Sequence, residues 1–495
     1  MLPPETAGSE CWSPAEFEAH GARVLHWIAD YLSRPQDYPV RPRVRPGDVR
    51  KKLPRTPPAA PEPLDRIFDD FRSILVPANT HWNHPGFMAY FSSSGSMPGI
   101  LAEALSAALN VNGMLWESSP AATELEETTT DWLRQLLGLP PRYRGVIHDT
   151  ASVSNLVALI AARHRVRDVR KKGLAGLPPL RLYTSKEAHS SVDKAAIALG
   201  IGLDGVRRIP CDGRFRMDPR ALEKAVQEDA AAGLRPFAVA ATAGTTSTTS
   251  VDPLESIAAV CRRHRLWFHV DAAHAGAASI LPEMRRHFQG WEKADSLVVN
   301  PHKWLFAPID LSVLFLRDRE SLREALSIVP DYLKPTETVA TTNFMEYGLA
   351  LGRRFRSLKL WFVIRSYGRE GLRRRLRRHL RMGRAFGRWI ARSELFERAA
   401  PVPFSTVCFR CVPPGDSRPD AEIDRLNREL LDRVNRSGEI YLSSTRLEGR
   451  FTLRLSVGNL RTTERHVRRA QEILDGEARR LLRKRRWLPT ATSSA

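Results

Sequence analysis

Trp267-Phe268-His269-Val270-Asp271-Ala272-Ala273-His274-Ala275-Gly276 is the stretch on which the fold turns. A short, mainly apolar run that ends on a carboxylate and passes directly into small residues reads as a buried strand delivering Asp271 to a tight turn. Two further runs follow the same plan. Residues 296–300 end on Asn300 and continue as Pro301-His302-Lys303-Trp304, and residues 237–241 continue as Thr242-Ala243-Gly244-Thr245-Thr246. Residues 180–184 and 312–316 are also candidate strands. Helical periodicity falls between several of them, at 219–232 and 254–264. Alternation of this kind over about 81–384 predicts an α/β domain with a mainly parallel sheet covered on both faces.

On the N-terminal side, Ser13-Pro14-Ala15-Glu16 is a capping box with proline at the first helical position. The helix it opens must end before Pro35. Residues 35–63 carry nine prolines, too many for regular structure, so they form an extended arm that lies on another surface. On the C-terminal side, strands at 406–411, 440–443 and 451–456 with helices at 421–434 and 463–482 make a smaller α+β domain. The expected division is therefore 1–80 for the N-terminal helix and arm, 81–384 for the large domain and 385–495 for the small one.

Composition narrows the function classes. The 495 residues are 42% hydrophobic and 26% charged, which excludes wholesale disorder. No apolar run approaches the ~20 residues that cross a bilayer. Residues 1–10 lack the basic and apolar regions of a secretory signal. Five cysteines in a chain this long do not make a disulfide scaffold, so a reduced, cytoplasmic protein is expected. The net charge of +21 comes from 64 Arg and only 12 Lys. Arginine exceeds lysine along nearly the whole chain, and the densest run, 373–392, has apolar residues at helical spacing. That pattern is a solvated helix face, and with no zinc-finger or RNP-type motif neither a nucleic-acid nor a membrane partner is expected. Cys408-Phe409-Arg410-Cys411 matches C-x-x-C, but residues three apart on a strand point to opposite faces, so ordinary packing is expected and no metal site.

Against that background Lys303 stands out: a rare lysine between His302 and Trp304, directly after an apolar strand. A partly desolvated lysine has a lowered pKa and can form a Schiff base. Lys303 and Asp271 explain each other if the ligand is pyridoxal phosphate, with the lysine on its aldehyde and the carboxylate on its ring nitrogen. Thr150-Ala151-Ser152, ahead of the helical run from Asn155, offers hydroxyls and backbone N–H groups for a phosphate.

The same residues lie in a wider pattern. Ser119-Pro120-Ala121-Ala122-Thr123-Glu124-Leu125-Glu126, Ala188-His189-Ser190-Ser191-Val192, His269-Val270-Asp271-Ala272-Ala273, Asn300-Pro301-His302-Lys303-Trp304 and Leu351-Gly352-Arg353-Arg354-Phe355-Arg356-Ser357-Leu358-Lys359 occur in that order. The set resembles the group II pyridoxal-phosphate decarboxylases, most of all those acting on aromatic L-amino acids, from about residue 13 to 475. The resemblance implies the fold type I, aspartate aminotransferase-like architecture. It also implies a homodimer with active sites at the subunit interface.

In residue terms it implies Lys303 as the Schiff-base lysine, Asp271 at the pyridinium, His189 stacked on the ring beside the substrate carboxylate, and Thr246 near the ring hydroxyl. Ala151, Ser152 and Asn300 would serve the phosphate, and His302 would lie beside the lysine. Trp82, Tyr90, Phe91 and Ser93 would line the side-chain pocket. Tyr332 would belong to a catalytic loop and protonate the substrate Cα. Aldehyde-forming relatives carry phenylalanine there, so Tyr332 implies an amine product rather than oxidative deamination. The chain departs from the family pattern at 149–153, at Ser92-Ser93 where a Pro-Thr pair is common, and at His274 where tyrosine is common. The aromatic wall favours an aromatic substrate. Glutamate or a branched aliphatic amino acid are the competing readings, and no cation for a glutamate side chain is identifiable in the sequence.

Overall fold

A computed structural model describes residues 12–166, 169–328, 341–413, 415, 418–485 and 487. Its centre is a seven-stranded sheet of β1 (Arg144–His148), β2 (Leu180–Ser185), β3 (Val206–Ile209), β4 (Arg235–Thr242), β5 (Trp267–Asp271), β6 (Ser296–Val299) and β7 (Ser312–Leu316). The order is β1-β7-β6-β5-β4-β2-β3. All pairings are parallel except those of β7, which runs antiparallel to both β1 and β6. A parallel return after β6 needs a crossover that regains the start of the sheet. The link from Asn300 to Leu311 instead holds only the one-turn helix Pro301–Trp304 and turns back.

Both faces of the sheet are covered, and the strands show why their sequences lack polar alternation. Val239, Ala241, Phe268, Val270, Leu297 and Val299 pack into one apolar cluster, while Ala238, Ala240, Trp267, Leu314 and Leu316 pack into a second. Adjacent residues thus bury on opposite sides, as the two-residue period requires.

A second, antiparallel sheet has the order β10-β11-β9-β8, from β8 (Phe396–Arg398), β9 (Thr406–Cys411), β10 (Ser443–Leu447) and β11 (Arg450–Ser456). The helices Asp420–Arg436 and Glu464–Lys484 cover it. Residues Ser357–Arg392 form two helical segments joined by a kink at Gly368, the second of which reaches this sheet. Cys411 joins the cluster under those helices and Cys408 a separate one, so the pair does point to opposite faces.

One expected strand is displaced, and three strands were not expected. The strand expected at 440–443 begins only at Ser443; Ile440 and Leu442 are buried as the chain approaches the sheet. The strands β1, β3 and β8 were absent from the sequence reading. The arm does lie on another surface, in part its own chain: Val40 N–H donates to Gly438 O at 2.7 Å, and Val40 packs with Phe87 and Ala89. The first helix is as expected, Pro14–Ser33 with the Ser13–Glu16 capping box formed.

Several buried histidines are held neutral. Burial pushes His148 and His379 down to about 3, and His269 and His302 to about 4. Each binds a proton in the unfolded chain below about pH 6.5 but not in the folded one, so stability rises with pH across this window and is lost as pH falls. Each such group contributes a slope of up to about 1.4 kcal/mol per pH unit. The melting temperature is expected to drop steeply from pH 7 to pH 5. A flat profile over that range would show that these rings are not buried in neutral form.

Candidate active site

The carboxyl ends of β4, β5 and β6 lie side by side, with Thr242 opposite Asp271 and Asp271 opposite Val298. Brought to one edge, these ends form the floor of a cavity of about 400 Å³, where ligands collect in open α/β sheets. Trp82, Tyr90, Phe91, Ser93, Ala151, Ser152, His189, Thr246, Asp271, Asn300, His302 and Lys303 all line it. These are all the site residues expected from the sequence except Tyr332, which lies outside the described residues.

Asp271 is buried and held by two donors. Ala273 N–H donates to Oδ1 and Asn155 Nδ2 to Oδ2, both at 3.0 Å. The turn of small residues after β5 makes the first bond possible. A Cβ on Gly276 would meet Val299 at 2.8 Å, so this position has no room for a side chain. Lys303 follows β6 in the one-turn helix, and burial lowers its amine pKa, opposed by the Asp271 charge and reinforced by that of Arg454. The ammonium form is thereby disfavoured, as a carbonyl-condensing amine requires.

His189, in the loop ahead of the helix Ser191–Ala198, is also kept neutral by burial. Its Nδ1 accepts Ser191 N–H at 3.1 Å, so the proton of the neutral ring is on Nε2. His302 Nδ1 accepts Leu311 N–H at 2.9 Å, which puts its proton on Nε2 as well; the Asn300 amide 3.3 Å away accepts that proton only with its oxygen turned to the ring.

Thr150, Ala151 and Ser152 present the N-terminus of the helix Ala151–His164 to the cavity, with no side-chain cap on its backbone N–H groups. Asp149 turns its carboxylate onto Thr150, accepting from its N–H and, at 3.1 Å, from its hydroxyl. The departure from the family pattern at this loop therefore engages one hydroxyl and leaves Ser152 at the cavity. A lysine whose ammonium form is disfavoured by burial, a fixed carboxylate and an uncapped helix N-terminus are the groups that pyridoxal phosphate requires, and the residues fit that cofactor.

The wall is aromatic. Trp82 stacks near Tyr90 at 6.1 Å, and Phe91 lies 3.7 Å from His274, nearly parallel to it. His274 in turn stacks on Trp304 at 4.8 Å, so this departure sits behind Phe91 and also reaches the cavity.

The sequence reading missed Ser443, Ser444, Thr445 and Arg454, contributed by β10 and β11. Arg454 supplies the cation that the sequence did not reveal. It donates from Nη1 to Tyr90 O at 2.7 Å and from Nε to Ser247 O at 3.0 Å, and lies 4.5 Å over the Phe91 ring. Its buried Nη2 has no hydrogen-bond partner. Asn155 was also missed; nothing marks a single polar residue within the helical run 155–162.

Comparison with known proteins agrees with the geometry. Residues 46–412 match the pyridoxal-dependent decarboxylase conserved domain. The chain is 41% identical over 479 residues to phenylacetaldehyde synthase of Arabidopsis thaliana, covering 95% of this chain and 97% of the relative. It is 40% identical over 469 residues to aromatic-L-amino-acid decarboxylase of Catharanthus roseus, covering 93% of each. It superimposes on the crystal structure of Oryza sativa TDC with PLP and tryptamine with a TM-score of 0.92 at 37% identity, over 95% of this chain and 100% of that one. The chain belongs to the pyridoxal-dependent decarboxylase family, with the fold type I architecture and the pyridoxal-phosphate cofactor that its cavity fits.

Proposed function

We propose that this protein removes CO2 from an aromatic L-amino acid and releases the corresponding amine. The observation that carries the reading is a buried Lys303 and a fixed Asp271 in one cavity with the Trp82, Tyr90 and Phe91 rings. Bound pyridoxal phosphate supplies an electron sink for the bond broken at Cα. Asp271 keeps a proton on the ring nitrogen. Ala151, Ser152 and Asn300 take the phosphate, Thr246 the ring hydroxyl, and His302 supports the lysine side of the ring. His189 would lie against the bound cofactor, with Nε2–H free to donate to the substrate carboxylate and so hold the group that leaves as CO2.

Borohydride reduction of the loaded protein should fix the cofactor covalently to Lys303. Recovery of the label on a peptide from any other lysine would sink these assignments.

Flat apolar rings bury well against the Trp82–Tyr90–Phe91 wall, with Ser93 available to a ring substituent. Arg454 favours a second reading, an acidic side chain paired with its free amino group. Its guanidinium is already held by two carbonyls and the Phe91 face, so it braces the wall in the first reading. A screen of CO2 release should find phenylalanine, tyrosine, tryptophan or dihydroxyphenylalanine preferred over glutamate and the branched aliphatic amino acids. Release from glutamate alone would reverse the choice.

The product depends on who protonates the substrate Cα after CO2 departs. A tyrosine hydroxyl is a suitable donor where water is excluded, and Tyr332 is that donor in this reading. A relative that bears the name phenylacetaldehyde synthase makes the distinction consequential. Replacing Tyr332 with Phe should cut amine formation and start oxygen uptake, with aldehyde, ammonia and peroxide appearing. Amine production at the parental rate without oxygen consumption would remove Tyr332 from the mechanism.

We also take the enzyme to be a cytoplasmic homodimer with its sites at the subunit interface. Met97, Leu101, Leu105 and Leu109 form an exposed apolar stripe on the helix Met97–Leu109, and a second copy of the chain would cover it. The division at 80 and 384 is kept as the organisation of each protomer.

A further inference from the structure

Behind the cavity, two cofactor-facing groups meet at one side chain. Asn155 is fully buried one turn into the helix Ala151–His164. Its Nδ2 donates to Asp271 Oδ2 at 3.0 Å and to Ser191 Oγ at 2.8 Å. Ser191 Oγ lies 2.9 Å from His189 Nδ1. Asn155 Oδ1 lies 3.0 Å from His269 Nε2, and His269 Nδ1 lies 2.8 Å from Ser296 Oγ. Trp267 Nε1–H donates to the same Ser296 oxygen at 2.8 Å.

The protons in this chain have one consistent arrangement. The indole can only donate, so Ser296 Oγ accepts from Trp267; its own proton goes to His269 Nδ1, because an acceptor-only Asp271 carboxylate takes Asn155 Nδ2 and leaves Asn155 Oδ1 to face a protonated His269 Nε2. Neutral His269 thus carries its proton on Nε2, and Asn155 Oδ1 accepts it. This amide orientation leaves both Nδ2 protons for Asp271 and Ser191. The reverse orientation would set a carbonyl against the Asp271 carboxylate and an N–H against His269 N–H.

We propose that Asn155 is a positioning residue for Asp271: its amide, oriented by the Trp267–Ser296–His269 chain, keeps the carboxylate aimed at the cavity and acceptor-only. Asp271 then retains its charge for a cationic ring nitrogen instead of competing for that proton. A carboxylate that loses one of two donors becomes more basic. This inference rests on the reading that Asp271 faces the cofactor ring nitrogen.

The test measures equilibrium binding to the apoprotein of pyridoxal phosphate and of its carbocyclic analogue, in which the ring nitrogen is CH. Both carry the aldehyde that meets Lys303, so the ratio of their affinities isolates the interaction with Asp271. The wild-type apoprotein should prefer pyridoxal phosphate. Equal affinity for the two would refute the Asp271 reading itself. Asn155→Leu, similar in size with no donor, should reduce that preference by about tenfold or more, the worth of one hydrogen bond to a buried charge. Binding of the analogue should change by less than about twofold, since that complex makes no use of the charge. An unchanged preference in a folded Asn155→Leu protein would overturn the proposal.

If Asn155→Leu does not fold, Asn155→Asp decides. The charged and titratable groups around position 155 are Asp271, His269 and His189, with Lys303 beyond. A protonated carboxyl at 155 can still donate to Asp271, whereas an ionised one repels it. The preference should therefore be near wild type at low pH and fall as pH rises, more steeply than in the wild type. A pH profile parallel to the wild type would overturn the proposal, because a purely space-filling role has no reason to titrate.

Discussion

A carboxylate buried at the end of the central strand is the constraint around which the molecule is organised. An uncompensated charge in such a place costs several kcal/mol, so Asp271 requires donors that cannot drift. One comes from the backbone of the turn that follows, and it exists because that turn consists of residues too small to hold the chain away from β6. The other comes from Asn155, on a helix that packs across the sheet beneath the strand ends. The central place of β5 also sets the neighbours: Thr242 leaves β4 on one side, and Asn300 and Lys303 leave β6 on the other. The order of strands thus carries the amine to the carboxylate, whose charge opposes the lowering of the Lys303 pKa by burial.

The sheet alone makes an open floor. Closure comes from segments distant in the chain that Arg454 ties together. Its guanidinium takes the carbonyl of Tyr90 and that of Ser247 and lies flat on Phe91, so one side chain of β11 clamps the aromatic wall and the loop after β4. Burial lowers its pKa to about 10, and that cost is borne by carbonyl dipoles and a ring face instead of a counter-carboxylate. A carboxylate there would compete with the ligand for the remaining donor.

How much of this was legible in the sequence follows from the same physics. Strands buried on both faces declared themselves as apolar runs, so β4, β5, β6 and β7 were found nearly to the residue. In β3, Val206-Arg207-Arg208-Ile209 is an edge strand with a partly exposed face, and its two arginines hide it. In β1, Arg144-Gly145-Val146-Ile147-His148 offers too short an apolar core to register. Ser443-Ser444-Thr445-Arg446-Leu447 is polar enough to read as a turn, which displaced the expected strand onto the apolar residues before it. Lys303 was legible because lysine is scarce here and its setting aromatic. Arg454 was not, because one arginine among 64 carries no mark until its burial is known. Asn155 was invisible for a different reason: its meaning lies in three partners from two other segments.

The distribution of charge across the cavity also bears on what kind of side chain the wall accepts. Lys303, Arg454 and Asp271 are its principal ionisable groups besides the imidazoles, and burial holds His189, His274 and His302 neutral, with the Lys303 charge reinforcing this for each. His274 is squeezed between Phe91 and Trp304 with neither ring nitrogen hydrogen-bonded, which makes it behave as a third flat apolar ring in the stack. A protonated imidazole in that position would face Arg454 and Lys303 without a counter-charge. The stack from Trp304 through His274 to Phe91 therefore backs the substrate with a neutral, planar wall, while the fixed charges stay where the cofactor and the amino-acid backbone need them. A ring laid against that wall loses little hydration on entry, whereas a carboxylate would be stripped of water to meet a guanidinium with one donor left over from two carbonyls and a ring face.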